Sequence, residues 1–246
     1  MFTATMLFIA AVFVVAGIIK GVIGIGLQVV PMGLLVLVMA PIEAAALLVI
    51  PAFVTNIWQL VSGPSIGPIV RRLWPMMAGI CLGTWAGAGA MSGAHTGNAK
   101  IMVGLALVVY AVLGLSSVRF AIDRSREVIA GPIAGAATGL ITAATGIFVV
   151  PAVPYLAAIG LDKDDLVQAL GLSFLISTIA LSVNLAREGA ITSAIAGSSI
   201  GALAMAMVGV FIGQWLRSRL DARTFRLCFF LGLLALGVHL LSRALA

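Results

Sequence analysis

Residues 21–31, GVIGIGLQVVP, place three glycines and a proline inside a long apolar run. The run extends from residue 3 to residue 39, and its only charged member is Lys20. As one straight helix at ~1.5 Å per residue it would be about 55 Å long, whereas the hydrocarbon core of a bilayer is ~30 Å thick. We therefore expect the chain to fold back on itself at the three glycines, where the backbone turns without a side-chain penalty.

The whole chain is as apolar as this run. Of its 246 residues, 62% are hydrophobic and 9% are charged, and the mean hydropathy is +1.23. The longest plainly polar stretches, residues 119–127 and 217–226, are long enough only for loops. The composition predicts an all-α, polytopic integral membrane protein with no soluble domain. The first apolar run has no basic leader before it, so we expect it to be a membrane segment rather than a secretory signal.

A second overlong apolar run, residues 128–160, is interrupted in a similar way by GLITAATGIFVVP. Three pairs of stretches match at spacings of 120, 123 and 126 residues: Pro31 and Pro151, ALLVIPAFVT (46–55) and ALGLSFLIST (169–178), and LGTWAG (82–87) and VGVFIG (208–213). We expect two transmembrane repeats, residues 1–120 and residues 121–246.

Each repeat is expected to contain a hairpin of two short segments followed by three full segments. The ten segments are expected at 4–19, 24–39, 43–61, 73–92, 98–118, 128–142, 146–160, 165–185, 191–216 and 224–244. Because five is odd, the repeats are inverted relative to one another. The first two segments of each form a broken or re-entrant hairpin, whose tips meet near the centre.

The basic residues test this arrangement, because Lys and Arg concentrate on the cytoplasmic side of a membrane protein. With ten segments, eleven of the fourteen fall on one side: Lys20, Arg71, Arg72, Arg119, Arg124, Arg126, Lys163, Arg217, Arg219, Arg223 and Arg226. In the simpler model of eight straight spans, seven of the basic residues outside the spans would lie on one side and six on the other. That model therefore gives no charge bias. We therefore expect the basic side to be cytoplasmic and both termini to lie outside. The net charge of +6 then reflects topology and not a nucleic-acid partner.

The usual ATP-binding, metalloprotease and nucleophile-elbow motifs are missing from the sequence. It contains no GxxxxGK[ST] phosphate loop, no HExxH and no GxSxG. Cys81 and Cys228 lie in apolar surroundings without a CxxC motif or a His/Cys cluster, so we expect both to pack in the core, with no metal or cofactor bound. Transport is the remaining activity, and inverted repeats with broken helices are typical of secondary transporters with a site near the membrane midplane. Alternatives that stay open are a passive anion channel, a membrane enzyme and an assembly subunit.

Two motifs carry a resemblance to a known family. GIIKGVIGIGLQVVP at 17–31 and GAATGLITAATGIFVVP at 135–151 resemble the paired glycine-rich motifs of the sulfite exporter TauE/SafE family. The resemblance covers essentially the whole chain and includes the proline that closes each motif. It implies an inner-membrane permease, often an exporter, for small sulfur-containing or organic anions such as sulfite, thiosulfate or organosulfonates.

The breaks also predict the binding site. A segment that restarts after a break presents unpaired backbone N–H groups, which attract an anion. The candidate substrate-binding residues lie at or near the two breaks: Lys20, Gly24, Gly26, Gln28, Pro31, Asn56, Thr142, Thr145, Gly146, Pro151 and Ser173. The expected partners are a small anionic substrate, the lipid bilayer, and a coupling ion, either a proton or sodium.

Several of these residues also have a purely structural interpretation. Lys20 at a helix end can extend to the cytoplasmic headgroups, and Asn56 and Ser173 can hydrogen bond between helices. Helix packing explains the small-residue ridges at Gly131, Gly135 and Gly139, at Gly83 and Gly87, and at Gly209 and Gly213. His239 is a candidate proton carrier because the unperturbed pKa of histidine is ~6.5.

Overall fold

The computed structural model describes residues 2–92, 96–116, 121–217 and 219–245. Within these ranges the chain forms ten α-helices and no strand. In chain order the helices are α1 (Phe2–Ile23), α2 (Val29–Leu35), α3 (Pro41–Val61), α4 (Ile66–Ala86), α5 (Thr96–Leu115), α6 (Arg124–Thr145), α7 (Ala152–Ala158), α8 (Lys163–Arg187), α9 (Ser193–Arg217) and α10 (Ala222–Leu245). His95 and Arg119, which the sequence places in loops, lie outside the described residues. The predicted all-α class is confirmed for the part of the chain that the structure describes.

Seven of these helices are long and apolar enough to cross a membrane, namely α1, α3, α5, α6, α8, α9 and α10. Large apolar side chains such as Leu7, Leu82 and Phe211 are more than 60% exposed on the outside of the bundle. An outer surface of this kind is suited to lipid and not to water. The chain is therefore a multi-pass membrane protein.

The two helices that follow the breaks are shorter than the sequence predicted. The segments expected at 24–39 and 146–160 contain only α2 and α7, each of seven residues. The residues before each short helix form the break itself. After α2 the chain continues in turns, in which the N–H of Leu37 donates to the carbonyl of Leu34 and the N–H of Val38 donates to that of Leu35. The predicted bounds of these segments were therefore wrong by several residues.

The expected turn at Gly21 is also wrong. Gly21 lies inside α1, where an added Cβ would be 2.5 Å from the carbonyl oxygen of Val210 and 2.9 Å from the Cα of Gly213. Close packing against α9 therefore explains this glycine, and the chain first turns at Gly24. Cys228 is exposed on α10 and not in the core, since the lipid-facing side of a membrane helix is as apolar as its packed side.

Glycines let two pairs of helices approach backbone to backbone, α1 against α9 and α4 against α6. A Cβ at Gly209 would collide with the carbonyl oxygen of Val14, and a Cβ at Gly135 would collide with that of Met76. Small residues at such crossings allow the van der Waals contact that holds membrane helices together. The packing role predicted for the glycine ridges is confirmed at these positions.

The centre of the bundle is formed by α3 and α8, which pack on each other and have the largest buried shares among the candidate spans, 56% and 61%. In addition α3 packs on α9 and α8 packs on α4, while α5 pairs with α10. Pro51 inside α3 has no N–H to donate to the carbonyl of Leu47. Ser199 of α9 donates to that carbonyl instead, with an oxygen–oxygen distance of 2.7 Å.

Acidic side chains accept hydrogen bonds from backbone N–H groups at the starts of α3 and α10. At the start of α3, the side chain of Glu43 accepts a hydrogen bond from the backbone N–H of Ala40. Asp221 precedes α10 and accepts hydrogen bonds from the hydroxyl and the backbone N–H of Thr224. These bonds lower the pKa of the Asp221 carboxyl because they stabilise its charged form.

Candidate functional site

The first break separates α1 from α2. Gly24 has φ +80° and Gly26 has φ +118°, values that side chains disfavour, so the predicted turn at these two glycines is confirmed. The backbone N–H groups of Leu27 and Gln28 are in buried residues and donate to no acceptor within the described ranges. Buried backbone groups in a membrane require a partner, so this break has spare capacity for a ligand or water.

The second break separates α6 from α7. Gly146 ends α6 in the left-handed conformation with φ +67°, and the peptide bond between Val150 and Pro151 is cis. The hydroxyl of Thr145 accepts a hydrogen bond from the N–H of Ile147 at 3.1 Å. As at the first break, the next backbone N–H, that of Phe148, is buried and has no acceptor in the described part of the chain.

Lys20 lies in the last turn of α1 and is only 8% exposed. Its Nζ donates a 2.7 Å hydrogen bond to the Oδ1 of Asn56, which is fully buried on α3. The only ion pair among the described residues joins Arg72 to Glu127, so no described carboxylate neutralises Lys20. An ammonium group has three donors, and one is used here. A buried charge without a counter-charge is costly and indicates a functional site.

The first break, α3 and α8 carry buried polar side-chain atoms that have no hydrogen-bond partner among the described residues. Buried side-chain atoms without a hydrogen-bond partner include the Nδ2 of Asn56, both amide atoms of Gln28, and the hydroxyls of Ser173 and Ser177. Each of these residues is at most 1% exposed. Buried polar groups in folded proteins are normally satisfied, so this concentration indicates that water or a ligand belongs among them.

A cavity connects the two breaks. Gln28 from the first break and Gly146 and Phe148 from the second line it, together with residues of α3 and α8 such as Ala52 and Thr178. Its volume is about 10 Å³, close to the minimum that one water molecule requires. Residues of the two breaks therefore line one space, which is nearly closed.

The remaining predicted site residues have roles that their contacts explain. Thr142 donates to the carbonyl of Thr138 and Thr145 donates to that of Ile141, both within α6. Pro31 lies in the first turn of α2, where a missing N–H has no cost, and Pro151 immediately precedes α7. His239 is exposed on α10, away from the cavity.

A pair of glutamines joins the first and second halves of the chain at one end of α3 and α8. The Nε2 of Gln59 donates to the carbonyl of Val167 at 3.0 Å. Gln168 forms three hydrogen bonds with backbone groups, namely the carbonyls of Leu60 and Gly63 and the N–H of Ser65. We call Gln59 and Gln168 the glutamine clamp. Along α3, Asn56 lies one turn from Gln59 and one turn from Ala52, so the Lys20 contact is between the clamp and the cavity.

A family model described as "Sulfite exporter TauE/SafE" matches residues 9–240, nearly the whole chain. The chain belongs to the sulfite exporter TauE/SafE family. The resemblance drawn from the two glycine-rich motifs is thereby confirmed, and the chain is a membrane protein of a transporter family. No curated protein and no solved structure matches it.

Two parts of the site in this TauE/SafE family member were not among the sequence candidates. Gln168 is fully buried and forms more hydrogen bonds between the two halves than Gln59 does. The charged residues that precede it in the sequence are nevertheless typical of a solvated helix start. Ser177 has the same unpaired hydroxyl as Ser173 and lies one turn further along α8. The one signal in the sequence was the spacing of the two serines by one helical turn.

Proposed function

We propose that this TauE/SafE family member is a secondary transporter that exports a small anion, such as sulfite, thiosulfate, an organosulfonate or an organic acid, across the inner membrane. The observation that carries the proposal is the buried ammonium group of Lys20, which is hydrogen bonded to the neutral amide of Asn56 and has no described carboxylate partner. Removing such a charge from water costs several kcal/mol unless a counter-charge is near. A bound anion supplies that counter-charge.

The remaining donors fit the oxygens of an oxyanion. The Nδ2 of Asn56, the Nε2 of Gln28 and the hydroxyls of Ser173 and Ser177 each have a free donor. Hydrogen bonds from such neutral groups to a charged oxygen are stronger than those between neutral partners. The unpaired backbone N–H groups of the two breaks add further donors. Gly24, Gly26, Gly146, Pro31 and Pro151 shape these breaks, while Thr142 and Thr145 hold the end of α6.

The helix pairs support two inverted repeats, residues 1–120 and 121–246. If α1 to α5 are exchanged with α6 to α10, the α4 and α6 pair becomes the α9 and α1 pair, and the α4 and α8 pair becomes the α9 and α3 pair. The pairs of α3 with α8 and of α5 with α10 are unchanged by the exchange. At ~1.5 Å per residue, α2 and α7 are each only about 10 Å long, which favours re-entrant hairpins over full crossings.

The clamp supports alternating access rather than an open channel. On the orientation given by the positive-inside rule, both termini lie outside and the clamp lies at the cytoplasmic end of α3 and α8. The hydrogen bonds of Gln59 and Gln168 then close the cytoplasmic side below the Lys20 contact. Opening for substrate requires these bonds to break, so flux is saturable and slow compared with that of a channel.

Cysteine labelling tests the orientation. Single cysteines at Ser65, Ser125 and Asp221, in a background that lacks Cys81 and Cys228, should react with a membrane-impermeant reagent only after permeabilisation. Asp221 decides between the models, because eight straight spans would place it on the opposite side from the other two. Labelling of Asp221→Cys alone in intact cells would contradict the ten-segment topology.

Flux into and out of proteoliposomes tests the function. The panel contains sulfite, thiosulfate, sulfoacetate and simple carboxylates, each with and without proton and sodium gradients. We expect saturable flux of at least one sulfur oxyanion and a clear effect of one gradient if that ion is coupled. Unitary currents in planar bilayers would instead identify a channel, and no flux of any anion would contradict the proposal.

A further inference from the structure

A groove of about 660 Å³ follows the outer face of α6 and α7. On α6 it is lined by residues of one helical face, from Ser125 through Ile133 to Ala137. The other wall is formed by Tyr155 of α7 and by Pro151, which immediately precedes α7. Its walls are apolar along nearly their whole length. The volume is in the range of sites that hold a small molecule or one chain of a lipid.

The groove exists because α7 lacks the cover that α2 has. In the first half, α2 packs against both α5 and α10, and a Cβ at Gly33 would lie 2.6 Å from Leu236 and 3.0 Å from Leu107. In the second half, α7 packs on α6 and α8 and has no comparable packing on α5 or α10 in the described part of the chain. The groove beside Pro151 is therefore not covered by α5 or α10 in the described part of the chain, and the buried ring of Tyr155 forms part of its wall.

The length of the groove matches one leaflet of a bilayer. Ser125 lies in the first turn of α6, and Ala137 lies twelve residues further along, which is about 18 Å at ~1.5 Å per residue. Half of the ~30 Å hydrocarbon core is about 15 Å. A groove that starts at the headgroup level and follows a helix for this distance has the length of an acyl-chain site.

Charge is placed at the headgroup end only. Arg126 lines the groove in the first turn of α6, is exposed, and donates no side-chain hydrogen bond to any residue that the structure describes. Arg72, at the same end of the neighbouring α4, is instead bound to Glu127 and to the carbonyl of Ile159. The Ser125 hydroxyl lines the groove next to Arg126. A free guanidinium beside a hydroxyl at headgroup depth suits a phosphate group.

We propose that this groove binds an anionic phospholipid, with one acyl chain along α6 and α7 and its phosphate at Arg126 and Ser125. A second copy of the chain is the less suitable occupant, because ten residues line the groove whereas a stable interface uses about 20–30 residues a side. The bound chain contacts Pro151, which adjoins the second break. Lipid binding therefore acts on the element that lines the central cavity.

Native mass spectrometry of the purified full-length chain tests the proposal with phosphatidylglycerol and phosphatidylcholine of identical acyl chains. We expect the wild-type chain to retain one phosphatidylglycerol in preference to phosphatidylcholine. Arg126→Gln should weaken phosphatidylglycerol binding about fivefold, the effect of one basic residue near the membrane surface. The matched control is Arg124→Gln, which removes the same charge from the same turn but does not line the groove.

A second variant tests the acyl-chain part of the groove. Ala134→Phe fills the groove and should weaken binding of both lipids, whereas Ala204→Phe on the exposed face of α9 should change neither. Equal loss in Arg126→Gln and Arg124→Gln would overturn the proposal, as would equal retention of the two lipids by the wild-type chain. A dimer that Ala134→Phe dissociates, with lipid binding unchanged, would assign the groove to a second copy.

Discussion

The two breaks share a backbone design but differ in chemistry. Both turn at glycines with positive φ, Gly24 and Gly26 in the first and Gly146 in the second, and both leave buried N–H groups free. Only the first has a charge, since Lys20 precedes it, whereas the second contains the apolar ring of Phe148. Residues of both breaks line one cavity. In the proposed function, the charge that attracts the anion comes from the first half, and the second half supplies the hydroxyls of Ser173 and Ser177.

The largest expected effect comes from the glycine of the second break. Gly146→Val should reduce flux at least a hundredfold while membrane insertion is retained, and Gly26→Val should do the same. A side chain at Gly146 is strained at φ +67°, and its Cβ would lie 3.1 Å from the Sδ of Met32 inside the site. Flux per folded protein in proteoliposomes measures this.

The matched control is Gly160→Val. Gly160 has the same φ of +67° as Gly146, but no atom lies within 4 Å of a Cβ added there. Its flux should stay within about twofold of wild type, since the backbone strain is of similar size, ~1–3 kcal/mol, without intrusion into the site. Gly135→Ala is unsuitable as a control because that glycine contacts the backbone of α4. Equal flux loss in Gly146→Val and Gly160→Val would show that strain alone, and not the site, is responsible.

An intermediate effect is expected at the clamp, where the two halves meet. Gln168→Leu leaves the carbonyls of Leu60 and Gly63 without their donor, which costs about 1–3 kcal/mol for each unsatisfied buried group. The Tm should fall, and downhill leak of the anion should rise several-fold, because in the proposed orientation the clamp closes the cytoplasmic side. Ser198→Ala is the control, as its hydroxyl bonds only within α9 on an exposed surface. A lower Tm without added leak would mean that the clamp is structural and does not gate.

The smallest effect is expected at the threonines of the second break. Thr142→Val should change the substrate KM less than twofold, because its hydroxyl bonds to the carbonyl of Thr138 in its own helix. Thr145→Val removes the acceptor of the Ile147 N–H and should cost about 1 kcal/mol of stability, again with little change in KM. A KM increase of tenfold for Thr142→Val would place recognition in both breaks and remove the asymmetry between them.

The sequence predicted the breaks but not their extent. Glycines and prolines in an overlong apolar run are sufficient to indicate that the chain must turn, and Gly24, Gly26 and Gly146 do so. Gly21 has the same residue type and a different role, because close packing on α9 and a turn both require glycine. Residue type alone therefore cannot separate the two uses.

Contacts between residues far apart in the chain could not be predicted from the sequence. Residue type identified Lys20 and Asn56 as candidates, but their pairing across 36 residues depends on how α1 packs near α3. Gln168 resembles a solvated residue at a helix start until the α3–α4 connection covers it. The groove along α6 and α7 could not be predicted from the sequence either, because it depends on α5 and α10 packing on α2 and leaving α7 uncovered.

Anion binding at Lys20 is the central claim, and titration of the detergent-solubilised chain with sulfite, followed by calorimetry, tests it most directly. The account predicts that Lys20→Gln weakens the Kd at least tenfold, that Lys20→Arg retains most of the affinity, and that the Tm without ligand does not fall in Lys20→Gln, since an unpaired buried charge is removed. The affinity of Lys20→Gln for a divalent anion should fall more than that for a monovalent one, because the lost attraction scales with charge. An unchanged Kd for both anions in Lys20→Gln would contradict the account.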